Sequence, residues 1–312
     1  MPVSHEEPVV VVEGVWKRFG ALDVVSDLSF EVRAGEMLGF LGPNGAGKTT
    51  TMRMILDVIR PDRGRIRVFG GEPGVAQQER TGYLPEERGL YRDVPVVETL
   101  AYFAALKGLP AAEARRRAER MLREVGLGDA LHKKAGELSR GMHQKAQVVA
   151  TVLHEPDLLV VDEPFQGLDP VNRELLRRVV LAQRDRGAAV IMSTHDMDEA
   201  QTLCDRILLI DEGRRLLYGT VADVRGAYSD GAVVVHGRGL PSQPAALRSA
   251  AEASVADGSV RYLLREGASA TDLFRELASL EVAVDRFEVA TPSLNEIFIR
   301  AVQGDRRTGP AS

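Results

Sequence analysis

The sequence MLGFLGPNGAGKTTTM, residues 37–52, decides the fold of this chain. A short apolar run ends at Leu41, and a stretch of the form G-x-x-x-x-G-K-[ST] follows at residues 42–50. A helical run begins directly after it. A buried strand, a glycine-rich turn and a helix in this order are the context that a phosphate-binding loop needs. The sequence therefore predicts an α/β domain that binds a nucleotide.

The residue types of this loop suit a nucleotide phosphate. Small residues let backbone N–H groups turn inward, and the following helix adds its N-terminal dipole. Lys48 would supply a positive charge to the β and γ phosphates, and the Thr49 hydroxyl is the expected Mg²⁺ ligand. A plain glycine-rich turn is the alternative, but it would not need lysine followed by threonine. The predicted nucleotide contacts are Gly42, Pro43, Asn44, Gly45, Ala46, Gly47, Lys48, Thr49 and Thr50.

Composition limits the class of protein. The chain has 312 residues, of which 44% are hydrophobic and 27% charged, the ordinary balance of a globular protein with room for one large and one smaller domain. Its formal charge of -5 counts against a nucleic acid as substrate. No apolar run is long enough to span a membrane, no export signal is visible, and Cys204 has no cysteine to pair with. We therefore expect a cytoplasmic protein.

Hydrophobic patterning divides the chain into regions. Short apolar runs at residues 158–161, 188–192 and 207–210 alternate with helical segments, which predicts a largely parallel sheet. Residues 91–156 are mostly helical and form an insertion in the first domain, which we expect at residues 8–225. After a glycine- and serine-containing boundary, residues 230–302 predict a small α+β domain of three strand-and-helix pairs. The first of these helices is expected at PAALRSAAE, residues 244–252.

Two carboxylates end an apolar strand in LLVVDEP, residues 158–164. Successive side chains of a strand point in opposite directions, so Asp162 and Glu163 can act separately. Asp162 would hold a metal ion through water, and Glu163 would polarise the attacking water as general base. The alternative is that the pair only caps a turn with Pro164.

Three further motifs flank this strand. ELSRGMHQK at residues 137–145 begins a helix with Ser139 as a suitable N-cap, and a plain N-cap is a rival interpretation. GLD follows at residues 167–169. STH at residues 193–195 places His195 after another apolar strand, where a single histidine is often only a bystander.

In this order the motifs resemble the nucleotide-binding cassette of ATP-binding cassette (ABC) transporters, over about residues 8–222. GPNGAGKTT resembles Walker A, LSRGM the ABC signature, LLVVDEP Walker B, GLD the D-loop and STH the switch histidine. The resemblance implies a P-loop NTPase (RecA-like) α/β core with an antiparallel β part and a helical subdomain. It also implies that His195 contacts the γ phosphate, that Asp169 organises a facing subunit, and that Phe19 stacks on adenine, with Trp16 as a weaker rival.

The sequence departs from the family pattern at several positions. Arg140 and Met142 stand where glycine and glutamine are commoner in the signature, while Ser139 and Gly141, the expected phosphate contacts, remain. Glu86 occupies the position of the Q-loop glutamine in most relatives, and a carboxylate there can still bind Mg²⁺. The expected metal ligands are Thr49, Glu86 and Asp162.

The resemblance implies an ATP-hydrolysing subunit that works as a head-to-tail dimer, or pseudo-dimer, at the inner face of the cell membrane. Because the chain has no span of its own, it would energise transport through a separate membrane subunit. GYLPEERGLY, residues 82–91, together with the C-terminal domain, resembles the sodium and drug exporter branch. The alternative is a soluble ABC-type ATPase of translation or DNA maintenance, a class that usually carries tandem cassettes, coiled coils or basic patches.

Overall fold

The computed structural model describes residues 7–85, 89–256, 258–280 and 282–308. The strands of these ranges are β1 Pro8–Phe19, β2 Leu22–Arg33, β3 Met37–Leu41, β4 Arg63–Val68, β5 Thr81–Leu84, β6 Leu158–Asp162, β7 Ala189–Thr194, β8 Arg206–Asp211, β9 Arg214–Thr220, β10 Ala232–Arg238, β11 Ala250–Ala256, β12 Ser259–Leu264 and β13 Ala283–Val289. The helices are α1 Lys48–Ile55, α2 Val75–Glu79, α3 Val96–Leu106, α4 Ala111–Glu124, α5 Arg140–Val152, α6 Pro170–Asp185, α7 Met197–Leu203, α8 Val221–Ala227, α9 Ala270–Ala278 and α10 Leu294–Thr308.

The chain separates into two compact units. The first contains the described residues up to Val221 together with those after Arg300, and we call it the cassette unit. The second contains the described residues of Ala222–Arg300. The division precedes the glycine- and serine-containing boundary at residues 226–231 that the sequence indicated.

A six-stranded sheet forms the centre of the cassette unit, with the strand order β5-β6-β7-β3-β8-β9. All neighbouring strands are parallel except the pair β8 and β9. Every residue of β3, β6 and β7 is buried, as expected for parallel strands covered on both faces. The largely parallel sheet predicted from the sequence is confirmed.

Because parallel strands end at the same edge of a sheet, the segments after β3, β6 and β7 are brought together. Leu41 pairs with Thr194, and Asp162 pairs with Ser193. The phosphate-loop motif, the Asp-Glu pair and the histidine motif therefore begin at one edge, where ligands of α/β sheets bind.

Two further parts complete the cassette unit. The antiparallel sheet β2-β1-β4 shares an apolar core with the parallel sheet, in which the rings of Phe30 and Phe40 lie 5.7 Å apart. Between β5 and β6, helices α3, α4 and α5 pack around a separate core that includes Leu100, Leu122 and Leu153. The outer face of α4 carries ion pairs such as Glu113–Arg117, so its arginines form a solvated face.

The second unit has an antiparallel sheet of order β11-β12-β10-β13. Leu273 and Leu277 of α9 are buried against it together with Tyr262. The predicted helix at residues 244–252 is wrong: a single 3₁₀ turn at Pro244–Ala246 is followed by strand β11. Pairing with β12, and burial of Leu247 and Ala250 under the sheet, override the helix propensity of this alanine-rich stretch.

None of the helices in the described part of the chain combines the length and the apolar character that crossing a membrane requires.

Candidate functional site

The glycine-rich loop after β3 is shaped by close backbone approaches. Gly42 has φ 147° and Gly47 has φ 102°, conformations that side chains disfavour. A Cβ atom on Gly42 would lie 2.3 Å from the carbonyl oxygen of Ile210, and one on Gly47 would lie 2.6 Å from that of Val24. Only glycine fits at these two positions, so the loop is fixed by the strands around it.

Lys48 begins α1 and is held over the loop. Its side chain is 6% exposed, and Nζ donates to the carbonyl oxygens of Gly42 at 2.6 Å and Pro43 at 3.2 Å. The same nitrogen lies 3.6 Å from Oε1 of Glu163. The arrangement keeps one positive charge at the floor of the loop, beside the dipole of α1.

Asp162 ends β6 under the loop and is 2% exposed. The Thr49 hydroxyl donates to its Oδ2 at 3.0 Å, and the Ser193 hydroxyl of β7 donates to its Oδ1 at 2.5 Å. Mg²⁺ prefers oxygen ligands such as this hydroxyl and carboxylate, and its other coordination positions are usually filled by water and substrate phosphates. The donor set therefore fits magnesium. Within the described ranges no cluster of three or more His, Cys, Asp or Glu side chains could hold a metal by itself.

Glu163 has φ 45°, a strained value for a residue with a side chain. Its backbone N–H is held by Ser193, with the hydroxyl oxygen at 3.0 Å. Oε2 lies 2.9 Å from Nδ1 of His195, whereas the buried Oε1 has no hydrogen-bond partner among the described groups. One carboxylate oxygen is thus anchored and the other is free to accept a hydrogen bond from a ligand.

These groups enclose the phosphate cleft, a cavity of about 220 Å³. Its lining residues are Val24, Pro43, Asn44, Gly45, Gly47, Lys48, Thr49, Thr50, Glu163 and Gln166. Gly42 and Ala46 belong to the same loop without lining the cavity, Asp162 lies under it through Thr49, and His195 touches it through Glu163. Sequence motifs more than a hundred residues apart therefore meet at one small polar site.

The signature residues lie elsewhere in the unit. Ser139 caps α5, with its Oγ accepting from the N–H of Met142 at 3.3 Å, and Gly141 follows in the first turn. Ser139 is exposed and Gly141 is partly exposed, and neither is among the described residues that line the phosphate cleft. Asp169 caps α6 by accepting from the N–H groups of Val171 and Asn172.

Three other predicted residues remain to be placed. Phe19 ends β1 with half of its surface exposed, and Nζ of Lys17 lies 5.5 Å from its ring centroid. It does not line the phosphate cleft as described, but its exposed ring remains available for stacking. Trp16 is only partly exposed and lies earlier in the same strand. Glu86 lies outside the described residues.

Sequence reasoning missed the part played by Ser193. Its hydroxyl holds both Asp162 and the backbone of Glu163, so it fixes the two carboxylates relative to each other. A signal existed, because Ser193 is the first residue of the STH motif. Its effect depends on the register of β7 beside β6, which the sequence does not specify.

A second cleft, the insertion groove, lies between β5 and helices α3 and α5, with a volume of about 290 Å³. It is mostly apolar, and its lining residues are Thr81, Gly82, Tyr83, Pro85, Gly89, Leu90, Phe103, Leu106, Lys107, Gln147, Ala150, Thr151 and His154. Lys107 Nζ donates to the carbonyl oxygens of Gln78 at 2.5 Å and Thr81 at 3.1 Å. Nε2 of His154 lies 3.2 Å from the same Thr81 oxygen.

Burial distinguishes the two basic residues of this groove, Lys107 and His154, from ordinary surface residues. Loss of contact with water lowers the pKa of Lys107. Burial first, and then the positive charge of Lys107, lower the pKa of His154 to about 4. At neutral pH this histidine is uncharged. Because the Thr81 carbonyl oxygen can only accept, the Nε2–H group is the donor of the hydrogen bond between them.

Comparison with known proteins matches this chain to ATP-binding proteins of transporters. The family model described as ABC transporter matches residues 25–166, and the model described as ATP-binding protein DrrA1-3-like, C-terminal domain, matches residues 219–302. The chain is 35% identical over 298 residues to the Uncharacterized ABC transporter ATP-binding protein YhaQ of Bacillus subtilis, covering 94% of this chain and 98% of the relative.

Two more similarities concern a named exporter component and a solved structure. Identity is 38% over 265 residues to Nod factor export ATP-binding protein I of Ralstonia nicotianae, covering 84% of this chain and 83% of that protein. A solved ATP-binding subunit of an ABC transporter matches with a TM-score of 0.67 and 34% identity, covering 70% of this chain and 93% of the other. The P-loop NTPase fold predicted from the sequence is confirmed by this match.

Proposed function

The chain belongs to the ATP-binding proteins of ABC transporters, and from this premise we propose that it hydrolyses ATP at the phosphate cleft to drive export. Membership makes it an ATP-binding ATPase that powers transport with a membrane subunit. The observation that carries the proposed site is the contact of Glu163 with both Lys48 and His195 beside the phosphate-binding loop.

In the proposed mechanism the loop binds the nucleotide phosphates. Backbone N–H groups of residues 45–49 point at the β and γ phosphates, and Nζ of Lys48 moves from the loop carbonyl oxygens to the phosphate oxygens. Thr49 and Asp162 would hold Mg²⁺ together with the phosphates. When bound, this ion neutralises charge that develops on the phosphate oxygens.

Glu163 then acts on water. Its buried Oε1 has no protein hydrogen-bond partner among the described groups, so it can accept a proton from a water placed in line with the γ phosphate. His195 holds the other carboxylate oxygen and is half-exposed, which lets it reach the γ phosphate as well. Ser193 keeps Glu163 from rotating away by holding its backbone.

The direct test is Glu163→Gln, which preserves the shape of the side chain but removes its basicity. ATP binding measured by calorimetry should be unchanged within about twofold, whereas steady-state turnover should fall by at least about a hundredfold, the range for a lost general base. Turnover equal to that of the unmodified protein would overturn the assignment of Glu163.

We further propose that two copies sandwich each ATP. Ser139 is exposed and Gly141 is partly exposed at the N-terminus of α5, where backbone N–H groups and the helix dipole favour an anion. They are absent from the described lining of the phosphate cleft, so the phosphate they suit is one held by another copy. The cleft of one copy and the α5 N-terminus of the other would together enclose each nucleotide.

Sedimentation of Glu163→Gln tests the sandwich, because this variant binds ATP without consuming it. It should shift from monomer to dimer when Mg-ATP is added at micromolar protein and return to monomer when ATP is removed. Dimerisation that does not depend on nucleotide would contradict the proposal. So would the absence of ATP-dependent dimerisation when the membrane subunit is present.

The membrane subunit is proposed to dock in the insertion groove. The groove is mostly apolar, and its exposed Leu106 lies next to an aromatic cluster in which Tyr91 and Tyr102 are exposed and Phe103 is partly buried. Exposed apolar surface of this kind marks contacts with proteins. Because α3 and α5 border the groove and α5 begins at the signature, docking there would connect partner movement to ATP closure.

Export is the proposed direction because the matched C-terminal domain and a relative named for Nod factor export accompany the same cassette. The alternative role in translation or DNA maintenance has no support among these relatives, one named as an ABC transporter ATP-binding protein and the other as an export ATP-binding protein. ATP-dependent efflux from cells that express the chain with its membrane subunit, compared with the Glu163→Gln variant, distinguishes export from import.

A further inference from the structure

The first turn of α5 touches the loop that follows Glu163. A Cβ atom on Gly167 would lie 2.3 Å from Nη2 of Arg140, so the guanidinium group sits directly against this glycine. A Cβ atom on Gly141 would lie 2.8 Å from Nδ2 of Asn172. Arg140 and Gly141, neighbours in sequence, therefore pack against the two ends of residues 167–172.

This loop leads directly into the phosphate cleft. Gln166, next to Gly167, lines the cleft together with Glu163. The N–H of Gln166 donates to the carbonyl oxygen of Glu163 at 3.3 Å, and the N–H of Leu168 donates to that of Phe165 at the same distance. A displacement of Gly167 would thus be transmitted to Gln166 and then to the backbone of the proposed base.

The far end of the loop is already fixed. Asp169 accepts from the side chain of Asn172 at 2.5 Å and from its N–H at 3.0 Å. These hydrogen bonds, first the one from the Asn172 backbone, lower the pKa of Asp169 and keep it charged. Residues 164–169 are therefore anchored at Glu163 and at Asp169, and the Arg140 contact falls between these anchors.

The surroundings of Arg140 leave its guanidinium group free to contact Gly167. Gly167 has φ 68° and no side chain, which leaves room for the guanidinium group against its backbone. In the described part of the chain, no hydrogen bond or ion pair directs the Arg140 guanidinium elsewhere. The guanidinium approaches by one edge, because Nη2 would lie 2.3 Å and Cζ 3.3 Å from a Cβ atom on Gly167. Its several N–H donors are held in a rigid plane, which a lysine ammonium lacks.

We propose that Arg140 is a positioning residue that connects the two ATP sites of the dimer. Ser139 and Gly141 would contact the ATP of the other copy, and Arg140 in the same turn holds Gly167, and through it Gln166 and Glu163, at the ATP of its own copy. The link between the two ATP sites rests on the proposed sandwich dimer. The contact by which Arg140 positions the loop lies within one chain and does not depend on the dimer.

The loop contact is tested first in the nucleotide-free monomer by hydrogen–deuterium exchange. In Arg140→Ala, peptides covering residues 164–169 should exchange about tenfold faster than in the unmodified protein, and in Arg140→Lys by an intermediate factor. Arg116→Ala is the matched control, because Arg116 is an exposed arginine on α4 of the same helical insertion. Unchanged exchange in Arg140→Ala would overturn the proposal.

Kinetics then separate positioning from direct contact with ATP. Arg140→Ala should lower kcat about tenfold and leave ATP affinity of the monomer unchanged, with partial recovery in Arg140→Lys. If kcat falls while loop exchange is unchanged, Arg140 acts on the nucleotide itself and the positioning role is wrong. If kcat is unchanged, the role is also wrong.

Failure of the sandwich would be recognised separately. The double variant Arg140→Ala with Glu163→Gln should still dimerise on Mg-ATP if the sandwich exists, because Ser139 and Gly141 are intact. If Glu163→Gln alone stays monomeric with its membrane subunit present, the connection between sites is overturned, and the exchange result decides the positioning role within one chain.

Discussion

The cassette unit contains two clefts of similar size and opposite character. The phosphate cleft, about 220 Å³, is lined by backbone N–H groups, Lys48 and Glu163, and its shape is fixed by glycines that no other residue could replace. The insertion groove, about 290 Å³, is lined mainly by apolar side chains such as Leu90, Phe103 and Leu106.

The difference matches the ligand proposed for each cleft. A phosphate needs fixed donors and charges that cost no reorganisation when it arrives. The membrane subunit proposed for the insertion groove would need apolar area that becomes dry on contact. Each cleft also contains or contacts a histidine, His195 near Glu163 in one and His154 near Lys107 in the other. Because the two clefts are lined by different residues, we expect mutations in one to change ATP binding and mutations in the other to change partner docking.

The largest expected effect comes from the phosphate cleft. Lys48→Ala removes the positive charge held at its floor, and we expect the Kd for ATP to rise about a hundredfold or more because the phosphates lose a desolvated charge partner. Isothermal titration with Mg-ATP measures this. Partner docking, measured by co-purification without nucleotide, should be retained.

Lys133→Ala is the control for this change, because Lys133 is an exposed lysine of the helical insertion outside both clefts. It should bind ATP as the unmodified protein does. Equal affinities for Lys48→Ala and Lys133→Ala would mean that the phosphates are not bound at this loop.

The phosphate cleft could be predicted from sequence because its determinants are local. Residues 42–50 form one contiguous motif, and Asp162 and Glu163 directly follow a strand whose carboxyl end must meet that loop. Strand and helix types in the cassette core were predictable for the same reason, since hydrophobic runs and glycines specify them within a few residues.

The remaining features depend on juxtapositions that no local pattern encodes. Ser193 acts on both carboxylates only because β7 pairs with β6 in one register. The Arg140–Gly167 contact requires α5 to pack against the segment before α6. Strand β11 shows the converse, because sheet pairing overrode an alanine-rich stretch that favours a helix.

A smaller effect is expected from the insertion groove. Leu106 is 60% exposed, so Leu106→Asn should leave the fold intact but place an amide in the apolar contact with the membrane subunit. We expect the concentration of membrane subunit that gives half-maximal ATPase stimulation to rise about tenfold, with basal ATPase unchanged. Titration of the subunit in nanodiscs measures both quantities.

Val58→Asn is the matched control, because Val58 is 62% exposed and lies outside the described lining of both clefts. Stimulation of this variant should equal that of the unmodified protein. If Leu106→Asn and Val58→Asn behave alike, the membrane subunit docks elsewhere. If Leu106→Asn lowers basal ATPase as strongly as stimulated ATPase, the two clefts are not separable.

The smallest effect concerns stability and arises from His154 in the insertion groove. The folded protein binds a proton there with a pKa of about 4, whereas an unfolded chain binds one near the ordinary value of 6.5. Burial, followed by the charges of Lys107 and Arg186, opposes protonation in the folded state, and Asp157 only partly offsets these effects. Between these pH values the unfolded state holds more protons, so folding stability falls as pH is lowered.

The contribution of His154 should thus be complete above about pH 6.5 and decline toward pH 4, with a slope of up to about 1.4 kcal/mol per pH unit. In His154→Gln this part of the slope disappears, while the amide can still donate to the Thr81 oxygen. Urea unfolding at pH 6.5 and pH 5.0 should therefore show a smaller loss of stability in His154→Gln than in His132→Gln, which removes an exposed histidine. Equal losses in the two variants would mean that His154 is not buried uncharged in the groove, and that the groove is more open to water than its apolar lining indicates.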